Sequence, residues 1–197
     1  MSKSKEDIDL SKDAIIAEYN VLREEIKQYH TERNNFVNYT VMLSAGFIGS
    51  IAVNKFVDDK FLILYLIFPF FYFTLGLLYL DKSIRIIRLA DYIHNHLREV
   101  FIKISNSPKV FNWENYKKNT KRFPKWLTKL IDRLRISIFI IPSLISLLLF
   151  FIHKSNEFYY YEIILICLDI LSVMCLIMIH IIAEETSGAK SKKYGKY

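Results

Sequence analysis

Residues 159–183 have the sequence YYYEIILICLDILSVMCLIMIHIIA, an apolar run in which the only charged side chains are Glu162 and Asp169. A helix of about 20 residues crosses the roughly 30 Å hydrocarbon core of a bilayer. Three more runs, residues 36–52, 61–80 and 136–152, contain no Lys, Arg, Asp or Glu. Backbone in lipid must satisfy its own hydrogen bonds, and a helix does so within one segment. The sequence therefore predicts an all-α integral membrane protein with four transmembrane helices.

The polar stretches between these runs divide the chain into seven predicted segments. Short connections make the spans two hairpins, 36–56 with 61–80 and 136–152 with 159–183. The segments, in chain order, are a cytoplasmic N-terminal amphipathic helix (1–35), a first span (36–56), a second span (61–80), a cytoplasmic segment made of a helix, a basic aromatic linker and an interfacial helix (81–135), a third span (136–152), a fourth span (159–183) and a flexible basic cytoplasmic tail (184–197).

The distribution of basic residues predicts the orientation. Of the 27 Lys and Arg residues, 6 lie in residues 1–35, 14 in residues 81–135 and 4 in residues 184–197. Loops rich in Lys and Arg stay in the cytoplasm. We therefore expect both termini and the middle segment to be cytoplasmic, with the two short connections outside.

Two apolar seams with alternating steps of four and three residues flank the first hairpin. This spacing is typical of helices that pack as a coiled coil. Because the first two spans are neighbours, the seams can meet only as an antiparallel, coiled-coil-like pair of cytoplasmic helices, the second continuous with the second span to about Ile104. The seam residues are Ile15, Tyr19, Leu22, Ile26 and Tyr29, and then Ile86, Ala90, Ile93, Leu97, Val100 and Ile104.

A face of small residues in the first span indicates close helix packing, within a subunit or between subunits. It consists of Ser44, Ala45, Gly46, Gly49 and Ser50.

Asp169 is the principal candidate for a functional residue, because it stands near the middle of the fourth span. A carboxylate exposed to lipid there would cost at least about 2.5 kcal/mol. At about 100° per residue, Glu162 and His180 each lie about 20° from Asp169, so the three form one polar stripe. One hypothesis is that the stripe lines an aqueous ion pathway in which Asp169 sets a cation preference. The alternative is that Asp169 is protonated and bonds a neighbouring helix, and that Glu162 and His180 are interface residues.

The linker between the two halves of the chain interleaves basic and aromatic side chains. Such a segment attracts anionic lipid headgroups, at about 1 kcal/mol per cation. The alternative is that it binds a nucleotide or oligonucleotide, with cations on the phosphates and aromatic rings stacked on bases, although a basic segment is common beside any membrane span. The residues concerned are Lys117, Lys118, Lys121, Arg122, Trp113 and Tyr116.

The usual enzyme motifs are absent from the sequence, which has only five glycines and no glycine-rich phosphate loop, no Cys-x-x-Cys pair and no His-Glu-x-x-His. We predict neither catalysis nor a cofactor, and no metal site.

Residues 18–26, EYNVLREEI, lead into a two-span hairpin and then into a long charged helix. Over residues 11–104 this architecture resembles the SLATT-type membrane effectors of bacterial defence systems. The added second hairpin is similar to four-helix channel effectors such as that of the Hailong system. The resemblance implies a bacterial inner-membrane (cell-membrane) effector, gated through its cytoplasmic helices by the oligonucleotide product of a partner nucleotidyltransferase, in antiphage defence.

Taken together, these features predict a homo-oligomeric ion channel or pore, with a tetramer favoured, because four spans of one subunit enclose too little space for a pore. Two alternatives stay open. The chain could be a non-conducting membrane anchor that docks a soluble partner, or a small proton-coupled transporter that uses Asp169.

Overall fold

All regular structure in residues 5–52, 62–105, 125–154 and 157–194, the parts of the chain that the computed structural model describes, is helical. Helix α1 covers Lys5–Ala52 and helix α2 covers Leu62–Tyr92. A π-helical turn, Ile93–Leu97, joins α2 to helix α3, Arg98–Ser105. Helix α4 covers Lys125–His153 and helix α5 covers Tyr160–Tyr194.

Three helical stretches are long and apolar enough to cross a membrane: Leu62–Ser105, Leu134–His153 and Tyr160–Ile182. They contain the second, third and fourth predicted spans. The first predicted span, residues 36–56, is not among them; α1 carries it as far as Ala52, and the rest of it lies outside the described residues. Length and composition therefore indicate a membrane protein, with three candidate spans in the part of the chain described.

The predicted continuous helix after the second span is confirmed, because Leu62–Ser105 is 44 residues of unbroken helix, about 66 Å long. The π turn adds a residue to one turn and changes the phase of the residues that come after it. Ala90 and Val100, predicted on the apolar seam, are exposed, whereas Leu89 and Phe101 are half-buried. The seam prediction is wrong at Val100 because a pattern of fours and threes assumes an uninterrupted α-helix. Ala90 precedes the π turn, so the turn does not explain its exposure.

The chain divides into two compact units. The first, which we call the polar unit, comprises residues 1–32 and 82–128. Within it, the Tyr92 hydroxyl donates to Glu18 Oε1 at 2.8 Å. The Lys82 ammonium lies 2.7 Å from Glu32 Oε2. Glu32, which comes after Glu18 on α1, therefore contacts Lys82, which comes before Tyr92 on α2, so the two helices run antiparallel here. The predicted N-terminal seam, Ile15, Tyr19, Leu22, Ile26 and Tyr29, is half-buried throughout.

The second unit, which we call the apolar unit, comprises residues 33–81 and 129–197. Its buried apolar side chains form two clusters. The first contains Phe47, Leu62, Tyr65, Leu66, Leu147 and Phe150, with Leu165 and Ile166 of α5 packed against it. The second contains Tyr79, Leu80, Ile136, Phe139 and Leu176, with Phe36 and Val37 of α1 packed against it. Helices α1, α2, α4 and α5 thus all contribute to both clusters.

Helices α2 and α5 approach each other closely at Gly76. A Cβ atom at this position would lie 2.6 Å from Leu176 Cδ1, well inside van der Waals contact. The small-residue face of α1 behaves differently, because no atom lies within 4 Å of a Cβ built on Gly46 or Gly49, and Ala45 is exposed. Among the described residues, the apolar unit therefore leaves Ala45, Gly46 and Gly49 uncovered, whereas Ser44 of the same set contacts Tyr72 of α2.

The expected flexible tail at residues 184–197 is corrected in part, because α5 continues as helix to Tyr194. The helix extends about 12 residues beyond the apolar stretch that ends at Ile182.

Candidate functional site

The polar stripe predicted on the fourth span faces the interior of the apolar unit. Asp169 has 0% of its surface exposed, Glu162 has 3%, and His180 is half-buried. The outward faces of α5 carry apolar side chains such as Leu171, Met174 and Met178, all exposed. This confirms that the three polar residues share one side of the helix. In the folded chain that side packs against other helices, and the apolar side chains of α5 cover the opposite side.

Asp169 lies in a layer of buried polar side chains between the two apolar clusters. On each of the four helices, these polar residues come between the residues of the first apolar cluster and those of the second in sequence. We call this set the polar layer: Thr40 on α1, Tyr72 on α2, Ser143 and Ser146 on α4, and Asp169 and Ser172 on α5. All the buried polar residues among the side chains described belong to this layer, apart from Glu162.

Most hydroxyl groups of the polar layer make hydrogen bonds. Thr40 donates to the Phe36 carbonyl at 2.8 Å, and Ser172 donates to the Asp169 carbonyl at 2.8 Å. Ser146 donates to the Tyr65 carbonyl on another helix at 2.6 Å. The Tyr72 hydroxyl lies 3.1 Å from Ser44 Oγ, within hydrogen-bond distance. These bonds fix the layer to the backbone of three helices.

Three buried oxygens of the layer are left without a hydrogen-bond partner among the described residues: Ser143 Oγ and both carboxyl oxygens of Asp169. A buried polar group without a partner costs about 1–3 kcal/mol, and more if it is charged. Such groups in a native structure usually mark a bound water, an ion or a functional group. Asp169 is therefore the ionisable residue of the polar layer that has no hydrogen-bond partner for its side chain among the described residues.

Glu162 has two contacts that the sequence did not predict. Its Oε1 accepts from the Lys154 ammonium at 2.8 Å, and its Oε2 accepts from the Tyr159 backbone N–H at 2.9 Å. Glu162 is the third residue of α5, and a carboxylate that reaches back to the residue before the helix is the second half of a capping box. The carboxylate thus starts the helix and neutralises Lys154. Its place in an ion pathway stays a prediction.

Lys154 is held by the same cluster. Its ammonium lies 4.8 Å from the centre of the Tyr159 ring, and the hydrogen bond to Glu162 raises its pKa above the ordinary value for lysine. The neighbouring His153 ring stacks on Tyr65 with centroids 5.8 Å apart. Sequence inspection missed this cluster, although Lys154, eight residues before Glu162, is the one cation near the end of the hairpin.

The stripe does not bring its three polar groups into contact. Seven residues separate Glu162 from Asp169 and eleven separate Asp169 from His180, so about 10 Å and 16 Å of helix lie between them. The Nε2 atom of His180 is buried without a partner among the described residues. The stripe is therefore three separate sites, of which only Asp169 lies in the polar layer.

The predicted nucleotide- or lipid-binding residues lie outside the described residues, so the structure leaves that prediction as it stands. They are Trp113, Tyr116, Lys117, Lys118, Lys121 and Arg122.

The arrangement around Asp169 can bind a proton or a small cation inside a unit whose helices include candidate membrane spans. It contains no pair of groups placed for nucleophilic or acid–base catalysis among the described side chains, since Asp169 is the sole titratable group of the layer besides Tyr72. Comparison of the chain with protein-family models, with curated proteins and with solved structures finds no match.

Proposed function

We propose that the chain is a homo-oligomeric, ion-conducting membrane effector that is gated through its cytoplasmic helices. The observation that carries the proposal is Asp169, a carboxyl group buried without a partner among hydroxyl groups in a helix long enough to span a membrane. An ionisable residue at such a depth is costly to keep, and in membrane proteins it usually marks an ion or proton path.

The proposed topology has four spans as two hairpins, with both termini and the polar unit in the cytoplasm of a bacterial cell. It rests on the excess of Lys and Arg in residues 1–35, 81–135 and 184–197. In this topology the contacts Glu18–Tyr92 and Glu32–Lys82 belong to an antiparallel, coiled-coil-like pair of cytoplasmic helices. A signal bound there would reach the membrane directly, because α1 and Leu62–Ser105 are continuous helices.

The burial of Asp169 changes where the ion path is proposed to lie. The sequence suggested a ring of Asp169 side chains around a symmetry axis, whereas the carboxyl is covered by helices of its own chain. The two apolar clusters lie on either side of it along the helices, which would keep water out. We therefore propose that the fold described is the closed state and that conduction requires α5 to move. Only 17% of its span is buried, against 39% and 33% for the other two candidate spans.

The test is current through planar bilayers that contain the purified full-length chain. We expect single-channel currents from the wild type, and altered conductance or cation preference in Asp169→Asn and Asp169→Ala. Glu24→Gln is the carboxylate control, because the Glu24 side chain has 74% of its surface exposed and lies outside the apolar unit. The absence of single-channel currents, or currents that are unchanged in both Asp169 variants, would remove the conducting role.

Oligomerisation is a separate part of the proposal. The uncovered face of α1 around Gly46 and Gly49 would let a second copy approach closely in lipid, where small residues favour helix association. We expect Gly46→Leu with Gly49→Leu to lower the oligomer mass measured in detergent. A wild-type monomer would contradict the homo-oligomer, and with it the favoured tetramer.

The ligand of the gate is proposed to be an oligonucleotide or nucleotide made by a partner nucleotidyltransferase. The basic aromatic linker is the proposed binding segment, and anionic lipid headgroups are the competing occupant. Charge reversal of Lys117, Lys118, Lys121 and Arg122 is expected to abolish oligonucleotide binding in a filter assay. Binding that survives the reversal would place the ligand site elsewhere.

A membrane anchor for a soluble partner is the second candidate, favoured by apolar side chains that the polar unit leaves exposed. Val21 has 67% of its surface exposed, and Ile16 and Val100 are exposed too. An anchor would be a monomer or dimer in detergent and would tolerate changes at Asp169. A proton-coupled transporter, the remaining alternative, would move solute without single-channel currents.

A further inference from the structure

The state of the Asp169 carboxyl can be inferred from the groups that share its layer. On the helices packed against α5, the layer offers Thr40 from α1, Tyr72 from α2, and Ser143 and Ser146 from α4. None of these carries a positive charge, and Tyr72 already lies within hydrogen-bond distance of Ser44. On α5 itself the nearest titratable groups are the thiols of Cys167 and Cys175, neither of which can carry a positive charge, and Glu162 and His180 lie about two or more turns away. An ionised Asp169 would therefore have no countercharge among the described residues.

An unpaired carboxylate in such a place is strongly disfavoured. The effective penalty for burying one ion is several kcal/mol even after the protein relaxes. Both carboxyl oxygens also lack donors, so hydrogen bonds do not offset that cost. Binding one proton removes the charge at once.

We propose that Asp169 is a proton-binding site, occupied in the closed subunit, and that loss of this proton favours opening. This inference deepens the proposed function, because it names the proton as the ligand of the same site. Ionisation would place a bare charge between the two apolar clusters, and hydration of that charge requires the helices to separate. Proton occupancy therefore holds the polar layer shut.

The layer suits a proton better than a metal cation. A metal ion prefers several oxygen ligands at once. The two Asp169 oxygens and Ser143 Oγ are the buried oxygens left without a partner among the described residues, and the other hydroxyl groups of the layer are held by bonds to the backbone or to Ser44. A proton needs no ligand beyond the carboxyl group itself.

Infrared spectroscopy of the full-length chain in lipid tests the proposal, because the carboxyl must absorb either as an acid or as a carboxylate. An ordinary Asp carboxyl, with a pKa of about 3.9, is protonated in about one molecule in a thousand at about pH 7. We expect the spectrum of the wild type minus that of Asp169→Asn at this pH to contain a carboxylic acid carbonyl band of about one group per chain. Asn keeps the shape of the protonated acid, so this variant is expected to fold.

The control is Glu162→Gln, whose difference spectrum is expected to show a carboxylate, because Glu162 is paired with Lys154. A carboxylate band in the Asp169 difference spectrum would overturn the proposal. If that band appears only with Na⁺ or K⁺ present, the site binds a metal cation instead of a proton. If the chain shows the acid band but carries no current, the proton site stands and the conducting function is refuted. If it shows the carboxylate band and its currents depend on Asp169, the conducting function stands and the proton site is refuted.

Discussion

Replacing Lys154 by Met is expected to destabilise the apolar unit, because the change leaves the charge of Glu162 buried and uncompensated. The ammonium and Glu162 Oε1 lie 2.8 Å apart, and each of the two side chains has 5% of its surface exposed. Met fills a similar volume without the charge. After the substitution Glu162 keeps its bond from the Tyr159 N–H and loses its only cationic partner among the described residues.

The magnitude depends on the burial of the pair. Removing one partner of a buried ion pair costs about 3–5 kcal/mol. We expect the lower end, about 3 kcal/mol, because the pair lies at the end of the α4–α5 hairpin, where the Glu162 carboxylate also caps α5 and benefits from the helix dipole. For a chain of this size that loss corresponds to a fall in melting temperature of about 6–12 °C.

The assay is loss of helical circular dichroism on heating, measured for Lys154→Met, Glu162→Gln and the double variant. Glu162→Gln keeps an oxygen for the Tyr159 N–H, so the cycle isolates the charge. The double variant is expected to be more stable than Lys154→Met alone, because it no longer buries a lone carboxylate. The control is Lys27→Met, which breaks an exposed pair with Glu24 whose side chains are 75% and 74% exposed, and it should change the melting temperature little.

Two outcomes would refute this reasoning. If Lys154→Met melts at the same temperature as Lys27→Met, then the pair is not buried in the folded protein. If the stability lost in the double variant equals the sum of the losses in the two single variants, then Lys154 and Glu162 act independently. The contact at 2.8 Å would then contribute no coupling.

Two further predictions concern other parts of the chain. The hydrogen bond from Lys82 lowers the pKa of Glu32 below its ordinary value. This contact therefore stabilises the folded chain above about pH 4.3, the pKa of an unfolded Glu, and the stabilisation is lost as the pH falls through the lower pKa of Glu32 in the folded chain. Melting curves of wild type and Glu32→Gln should therefore differ at neutral pH and converge in acid; a difference that persists in acid would contradict the assignment. In the polar layer, Ser146→Ala should cost about 1 kcal/mol, because it removes the bond to the Tyr65 carbonyl, whereas Ser143→Ala should be neutral or stabilising. Thermal melts of the two variants test this, and an equal loss in both would show that Ser143 has a partner in the folded protein.

The helices and the candidate spans could be predicted from the sequence because they depend on local properties. A helix satisfies its backbone within one segment, and the hydropathy of a run is a sum over its own residues. The continuous helix through Leu62–Ser105 and the single side shared by Glu162, Asp169 and His180 follow from length and periodicity alone. The same periodicity failed at Val100, which follows a π turn that shifted the phase, and at Ala90, which precedes that turn.

The tertiary structure decided what each polar side chain meets. Periodicity places Asp169 and Glu162 on one face of α5, and it says nothing about which helices cover that face. Lys154 and Tyr159 neutralise and cap Glu162, and helices of the same chain enclose Asp169 between two apolar clusters. The helices that desolvate Asp169 are distant from it in sequence. Lys154 and Tyr159 are near Glu162 in sequence, but their contacts with it form only in the folded chain, and so the chemistry of a buried carboxyl is a property of the fold.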